Sequence, residues 1–170
     1  MKKIILYSLF VVFSILLGAC NKQWDNDWIE DYVNDLLGFQ EQSVNVLYTY
    51  YSWLEKKYDG SNLVALFTWT MDELGRIEKE VRLYPSWDDD SSLRDAVWDY
   101  IAWMEQAFWK YEWTVIETLV DYDGQVSRFY RDNQKTFSDS AMKLASELAI
   151  LDRQLDASYT AFLQKYSYVK

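Results

Sequence analysis

Between residues 126 and 169, apolar side chains return at steps of three and four without losing phase. The series is Val126, Tyr130, Phe137, Ala141, Leu144, Leu148, Leu151, Leu155, Tyr159, Phe162, Tyr166 and Val169, with one place skipped after Tyr130. In a strand these residues would scatter over both faces; at the helical period of 3.6 they form one stripe. The same rhythm occurs three more times. Ile29, Val33, Leu36, Gln40, Val44, Leu47, Tyr51, Leu54 and Tyr58 make a stripe that Asp59-Gly60-Ser61 stops. Leu63, Phe67, Thr70, Leu74, Ile77, Val81 and Tyr84 follow, ending before Pro85. Proline cannot donate a backbone hydrogen bond and disfavours helix at the preceding residue.

The third segment carries two adjacent stripes. One is Val97, Ile101, Met104, Phe108, Tyr111 and Val115; the other is Trp98, Ala102, Trp109, Trp113, Ile116 and Val120. So wide an apolar face belongs to a helix surrounded on most sides. Asp90 or Ser91 caps its start and Asp123-Gly124 ends it. The predicted helices are about 25–58, 62–84, 91–122 and 125–168. Thr136, Ser138, Asp139 and Ser140 offer a fresh cap, so the last helix is either continuous or broken near 136–140; a long helix with an irregularity there is favoured. Long amphipathic helices with short connections make antiparallel neighbours. The expected fold is all-α, an antiparallel up-down-up-down four-helix bundle formed as one domain by residues 24–170. Only five Gly and one Pro, with half the residues hydrophobic, exclude disorder and loop-rich β folds.

Residues 1–19 read as a processing signal. Lys2 and Lys3 precede an apolar run, Ile4 to Leu17, that is shorter than the roughly 20 residues a membrane span needs. Then comes Leu17-Gly18-Ala19-Cys20, which resembles the lipobox of bacterial lipoproteins. The resemblance implies cleavage between Ala19 and Cys20, a diacylglyceryl group on the Cys20 thiol and acylation of the new amine. Residues 20–23 would then be a lipidated tether, and the chain would sit in the bacterial envelope, held in a membrane by its lipid. Asn21, where enteric lipoproteins retained in the inner membrane carry Asp, leans towards the outer membrane. The mature part is similar to small helical-bundle lipoproteins of bacteria. The likeness rests on Pro85-Ser86-Trp87 before Ser92–Val97 and on the ending Tyr159–Tyr166, and it implies the fold and no activity.

Charge and composition remove many functions. With 17 Lys plus Arg against 27 Asp plus Glu, the chain carries −10, and nucleic acid would be repelled. The chain has one Cys and no His. A lipidated Cys20 leaves no thiol, and without His neither the usual zinc site nor the Glu-x-x-His di-iron site of helical bundles can form. Asp88-Asp89-Asp90 lacks the Gly and Glu of a calcium loop and reads as a solvated helix start. Ser140-Ala141-Met142-Lys143 has the spacing of a penicillin-binding Ser-x-x-Lys but none of its companion motifs. No residue is assigned a catalytic, cofactor-binding or metal-binding role. An enzyme would have to be a hydrolase built on two carboxylates.

The unusual feature is nine Trp and 14 Tyr. Trp98, Trp109 and Trp113 are expected to fill the core; Trp24 and Trp28 lie near the anchor, at headgroup level. Trp87, in a loop, and Tyr100 and Trp103, off the main stripes, are the candidate binding aromatics. The functional expectation is a membrane-tethered, non-catalytic module that binds another envelope protein, with the acidic surface favouring a basic partner. The alternative is a glycan or apolar ligand held by exposed Trp and Tyr between helices.

Overall fold

The computed structural model describes residues 27–54, 60–120 and 126–167. They form four helices: α1 (Asp27–Leu54), α2 (Gly60–Leu83), α3 (Ser92–Val120) and α4 (Val126–Ser167). The protein is all-helical among the described residues, apart from a single bridge between Trp87 and Asp90. The signal segment, Ala19 and Cys20, Trp24, and the helix stops at Asp59 and Asp123-Gly124 lie outside the described residues.

Side-chain pairs give the direction of each helix. Asp35 of α1 meets Tyr84 just after α2, and Thr49 shares a groove with Trp69, so α1 and α2 run oppositely. Trp98 of α3 meets Glu78 of α2, and Phe108 meets Phe67, so α2 and α3 do too. Tyr100 meets Asp152 and Ser140 meets Tyr111, so α3 and α4 are also antiparallel. α3 is the central element, packed against α1, α2 and α4.

The α2 stripe is buried in full from Leu63 through Phe67, Thr70, Leu74 and Ile77 to Val81. On α3 the first stripe is buried at Val97, Ile101, Met104, Phe108 and Val115. Phe108 anchors an aromatic knot: its ring lies 4.8 Å from Tyr50, edge-on, and 5.5 Å from Phe67, stacked. From α4, Leu144, Leu155 and Phe162 enter the core, while Leu148, Leu151 and Tyr159 are only partly covered. α4 passes through 136–140 as unbroken helix. Ser140 does not cap there; its hydroxyl donates to the Tyr111 carbonyl at 2.8 Å and ties α4 to α3.

One end of the bundle is closed by the α2–α3 loop. Trp87 and Asp90 exchange backbone hydrogen bonds around Asp88 and Asp89, both at positive φ (46° and 62°). Two left-handed central residues make a tight turn of the hairpin kind, which Asp tolerates better than most side chains. Asp90 then does two jobs. Its Oδ1 accepts from the Ser92 N–H at 2.8 Å, capping α3. Its Oδ2 accepts from Lys165 Nζ at 2.7 Å and from Tyr166 at 3.0 Å, fastening the end of α4. These donors, Lys165 first, hold the Asp90 carboxyl well below the usual carboxylate range.

Gly38 and Gly75 sit inside helices. A Cβ at Gly38 would meet nothing within 4 Å, and one at Gly75 only Glu105 Oε1 at 3.8 Å, an ordinary contact. Ala costs a helix about 1 kcal/mol less than Gly. Gly38→Ala and Gly75→Ala are each expected to raise unfolding stability by about that amount, additively. Urea midpoints check this, and a loss at Gly38 would mean that its surroundings are tighter than described.

Candidate interaction surface

The three aromatics singled out by position do not make a common surface. Tyr100 is 3% exposed, and its hydroxyl donates to Asp152 Oδ1 at 2.9 Å. Burial, then the Asp152 carboxylate, pushes this hydroxyl well above the usual tyrosine range. Tyr100 therefore locks α3 to α4 and is closed to a ligand. Trp87 is half-buried, with its ring 5.4 Å from Tyr32 and 6.4 Å from Tyr166, and it packs the loop end of the bundle. Trp103 alone stands in solvent, 57% exposed.

The aromatics expected in the core are the ones that came out. Trp109 is 50% exposed and Trp113 37%. Their rings stack at 6.1 Å with planes 6° apart, and Trp113 rests on Phe67 of α2 at 5.7 Å. The correction has a geometric cause. α3 is apolar over more of its circumference than three neighbouring helices cover. The first stripe and Ile116 face them, so Trp109 and Trp113 are left over the open side of the α2–α3 seam. Trp98, on the same side, is only half-buried, and its indole N–H donates to Glu78 Oε1 at 2.9 Å.

Along α3 the open strip reads Glu105, Trp109, Trp113, Glu117, four residues apart each time. Successive members stack on one face, and the strip spans about 18 Å. Trp113 donates its indole N–H to Glu117 Oε1 at 2.8 Å, which holds the ring along the helix. At the other end Glu105 lies near Glu78 of α2. Burial, then the Glu78 carboxylate, raises the Glu105 pKa.

A second polar group is enclosed at the end of the bundle opposite the Asp88–Asp90 turn. Glu112 is 1% exposed. Tyr50 donates to its Oε2 at 3.1 Å and Tyr51 to its Oε1 at 2.7 Å, while Ser140 Oγ lies 3.5 Å from Oε1. Burial raises the Glu112 pKa against the opposing pull of these hydroxyls. Ser140, the serine of the Ser-x-x-Lys spacing, is buried and spent on the Tyr111 carbonyl, and Lys143 is exposed. That pair is not a nucleophile and its base.

Comparison with protein-family models, curated proteins and solved structures finds no match to this chain. Among the described residues no group of Asp and Glu is arranged to hold a metal ion, and no helix is long and apolar enough to cross a membrane. Open grooves of about 370 Å³ between α3 and α4 and about 230 Å³ between α1 and α2 are also present.

Of the residues that matter here, sequence reasoning missed Glu105 and Glu112. Glu112 was legible in principle. It stands four residues after Phe108 and three before Val115, inside the buried stripe, where a carboxylate must find donors.

Proposed function

We propose that this chain is a lipid-anchored protein of the bacterial envelope whose bundle is a non-catalytic protein-binding module. Its contact face is the Trp109–Trp113 strip. The observation that carries the reading is the pair of parallel, half-exposed indoles over Phe67. Large aromatics dominate protein-binding hot spots, and leaving two of them in water has no benefit to the isolated fold.

The anchor and the strip suit each other. The reading places the lipid on Cys20, seven residues before the start of α1, a reach of about 25 Å at most. That end of α1 also holds Trp28, 80% exposed, and the contacts of Tyr32 with Trp87 and Phe162. The bundle would stand on this end. Trp113 then lies at the level of Tyr50 and Glu112, about 27 Å further along α1 than Tyr32, where a partner can reach it.

A photo-crosslinking side chain in place of Gln106, which is exposed beside the strip, tests this in the full-length protein in its own membranes. The expected result is one adduct with an envelope protein, lost in the Trp109→Ala/Trp113→Ala variant and retained in Trp103→Ala. An adduct indifferent to Trp109 and Trp113 would reject the face. Circular dichroism melts show whether the double variant still folds.

One observation favours a second reading. The groove between α1 and α2 combines the half-exposed Trp69 with Gln42, Asn45, Thr49 and Arg76, an aromatic face ringed by hydrogen-bonding groups as a glycan site would be. Binding of a neutral oligosaccharide abolished by Trp69→Ala would favour it.

A further inference from the structure

The strip has a charge pattern that says what should cover it. Its two indoles are bracketed by carboxyls: Glu105, with Glu78 of α2 nearby, at one end, Glu117 at the other. Among the described residues, the nearby cations are mostly engaged elsewhere. Lys110 points to α4, donating to Tyr111 at 2.9 Å and to Glu147 at 3.2 Å. The Arg82 guanidinium lies over Trp98, 5.7 Å from the ring centroid. Among the described residues, Lys79, exposed on α2, is the one cation whose field Glu105 feels.

The molecule already contains one unit of the chemistry that would complete the strip. Arg82 over Trp98, with Glu78 taking the indole N–H, is a cation on an indole with a carboxylate at its edge. Trp113 repeats the indole and its edge carboxylate, Glu117, with Trp109 stacked beside it, and among the described residues no cation lies over either ring.

We propose that the α3 strip seats an arginine-bearing segment of a partner protein, with guanidinium groups lying on Trp109 and Trp113 and reaching the Glu78–Glu105 pair at one end and Glu117 at the other. This rests on the protein-binding reading above and adds the chemistry of the partner. Arginine fits better than lysine because its planar group stacks on an indole and forks to carboxylate oxygens at the same time. A second copy is disfavoured, since a chain of charge −10 would bring this acidic strip against its like. An anionic lipid surface is disfavoured for the same reason.

The test follows the indole N–H signals of Trp109 and Trp113 by NMR in the full-length protein. The probe is an alanine-based helical peptide carrying Arg at positions i and i+4, compared with the same peptide carrying Lys or Gln. The Arg peptide is expected to shift both signals and to bind about tenfold more tightly than the Gln peptide, with Lys between them. Glu105→Gln/Glu117→Gln is expected to weaken binding about tenfold and to flatten its salt dependence, while leaving the fold intact. Equal binding of the Arg and Gln peptides, or Arg binding indifferent to the two Glu variants, would overturn the proposal. So would a neutral oligosaccharide shifting the same signals when the Arg peptide does not. If the peptides fail while the Gln106 adduct persists, the docking face stands and its basic occupant falls; if the adduct is absent too, both fall.

Discussion

Replacing Cys20 by Ser behind an ordinary, separately cleaved secretory signal in place of residues 1–19 is expected to move the entire protein from the membrane fraction to the soluble fraction. Under the proposed lipidation, two or three acyl chains hold the chain in the bilayer, each buried methylene contributing about 0.8 kcal/mol. Nothing in the described helices substitutes for them, since none is apolar enough to span a membrane. The acidic chain, with 27 carboxylate side chains against 17 basic ones, gains nothing from an anionic surface. Intact mass adds a second readout: the native protein should begin at Cys20 and carry diacylglyceryl and acyl mass, and the variant should carry neither. A native protein already soluble after export, with an unmodified Cys20, would show that residues 1–19 are an ordinary secretory signal.

The second large effect concerns Glu112. Glu112→Ala is expected to lower unfolding stability by about 3 kcal/mol, because it opens a cavity and strips the Tyr50 and Tyr51 hydroxyls of their shared acceptor. Glu112→Gln keeps the shape and one acceptor and should stay within about 1 kcal/mol of the native protein at acid pH. The pH dependence separates the two causes. Burial raises the Glu112 pKa in the fold above its unfolded value, so the neutral form is the one the fold prefers. Its contribution is full below the unfolded Glu range near 4.3 and is lost as pH rises through the raised folded value. Glu112→Gln carries no such loss and should gain on the native protein between pH 4 and pH 8. Denaturant midpoints at both values check this. Equal pH profiles for the two proteins would mean that Glu112 titrates as an exposed carboxylate does and that its enclosure is not maintained in solution.

Asp90 works in the opposite sense. Its carboxyl lies below the usual range because Lys165, Ser92 and Tyr166 all bind the charged form. Its contribution is therefore present above the unfolded Asp range near 3.9 and is lost as pH falls. The two carboxyls mark the two ends of the bundle, one tied at the surface and one enclosed.

The reach of the sequence can be judged residue by residue. The α2 stripe was legible in detail: every member from Leu63 to Val81 is buried, including Thr70, whose hydroxyl bonds the Leu66 carbonyl four residues back. A helix with a narrow apolar face has one way to pack. The Asp90 cap was also legible, because a cap is a local matter of one side chain and the next backbone N–H groups. Its tie to Lys165 and Tyr166, 75 and 76 residues away, was not. On α3 the expectation failed where the helix offered too many apolar positions. Tyr100, expected among the binding aromatics, is enclosed against Asp152, and Trp109 and Trp113, expected in the core, are half-exposed.

What the sequence by itself determined is the helical class, the four helical segments and the buried stripe of α2. Hydrophobic period, caps and the lone proline act over a few residues, so they need no knowledge of what lies opposite. Only the tertiary structure decided which side of α3 stays open and which distant donors enclose Glu112. Three neighbouring helices cannot cover an apolar face as wide as that of α3. What they leave exposed depends on the rotation of one helix against another, a quantity set by the packing of all four together and carried by no single segment.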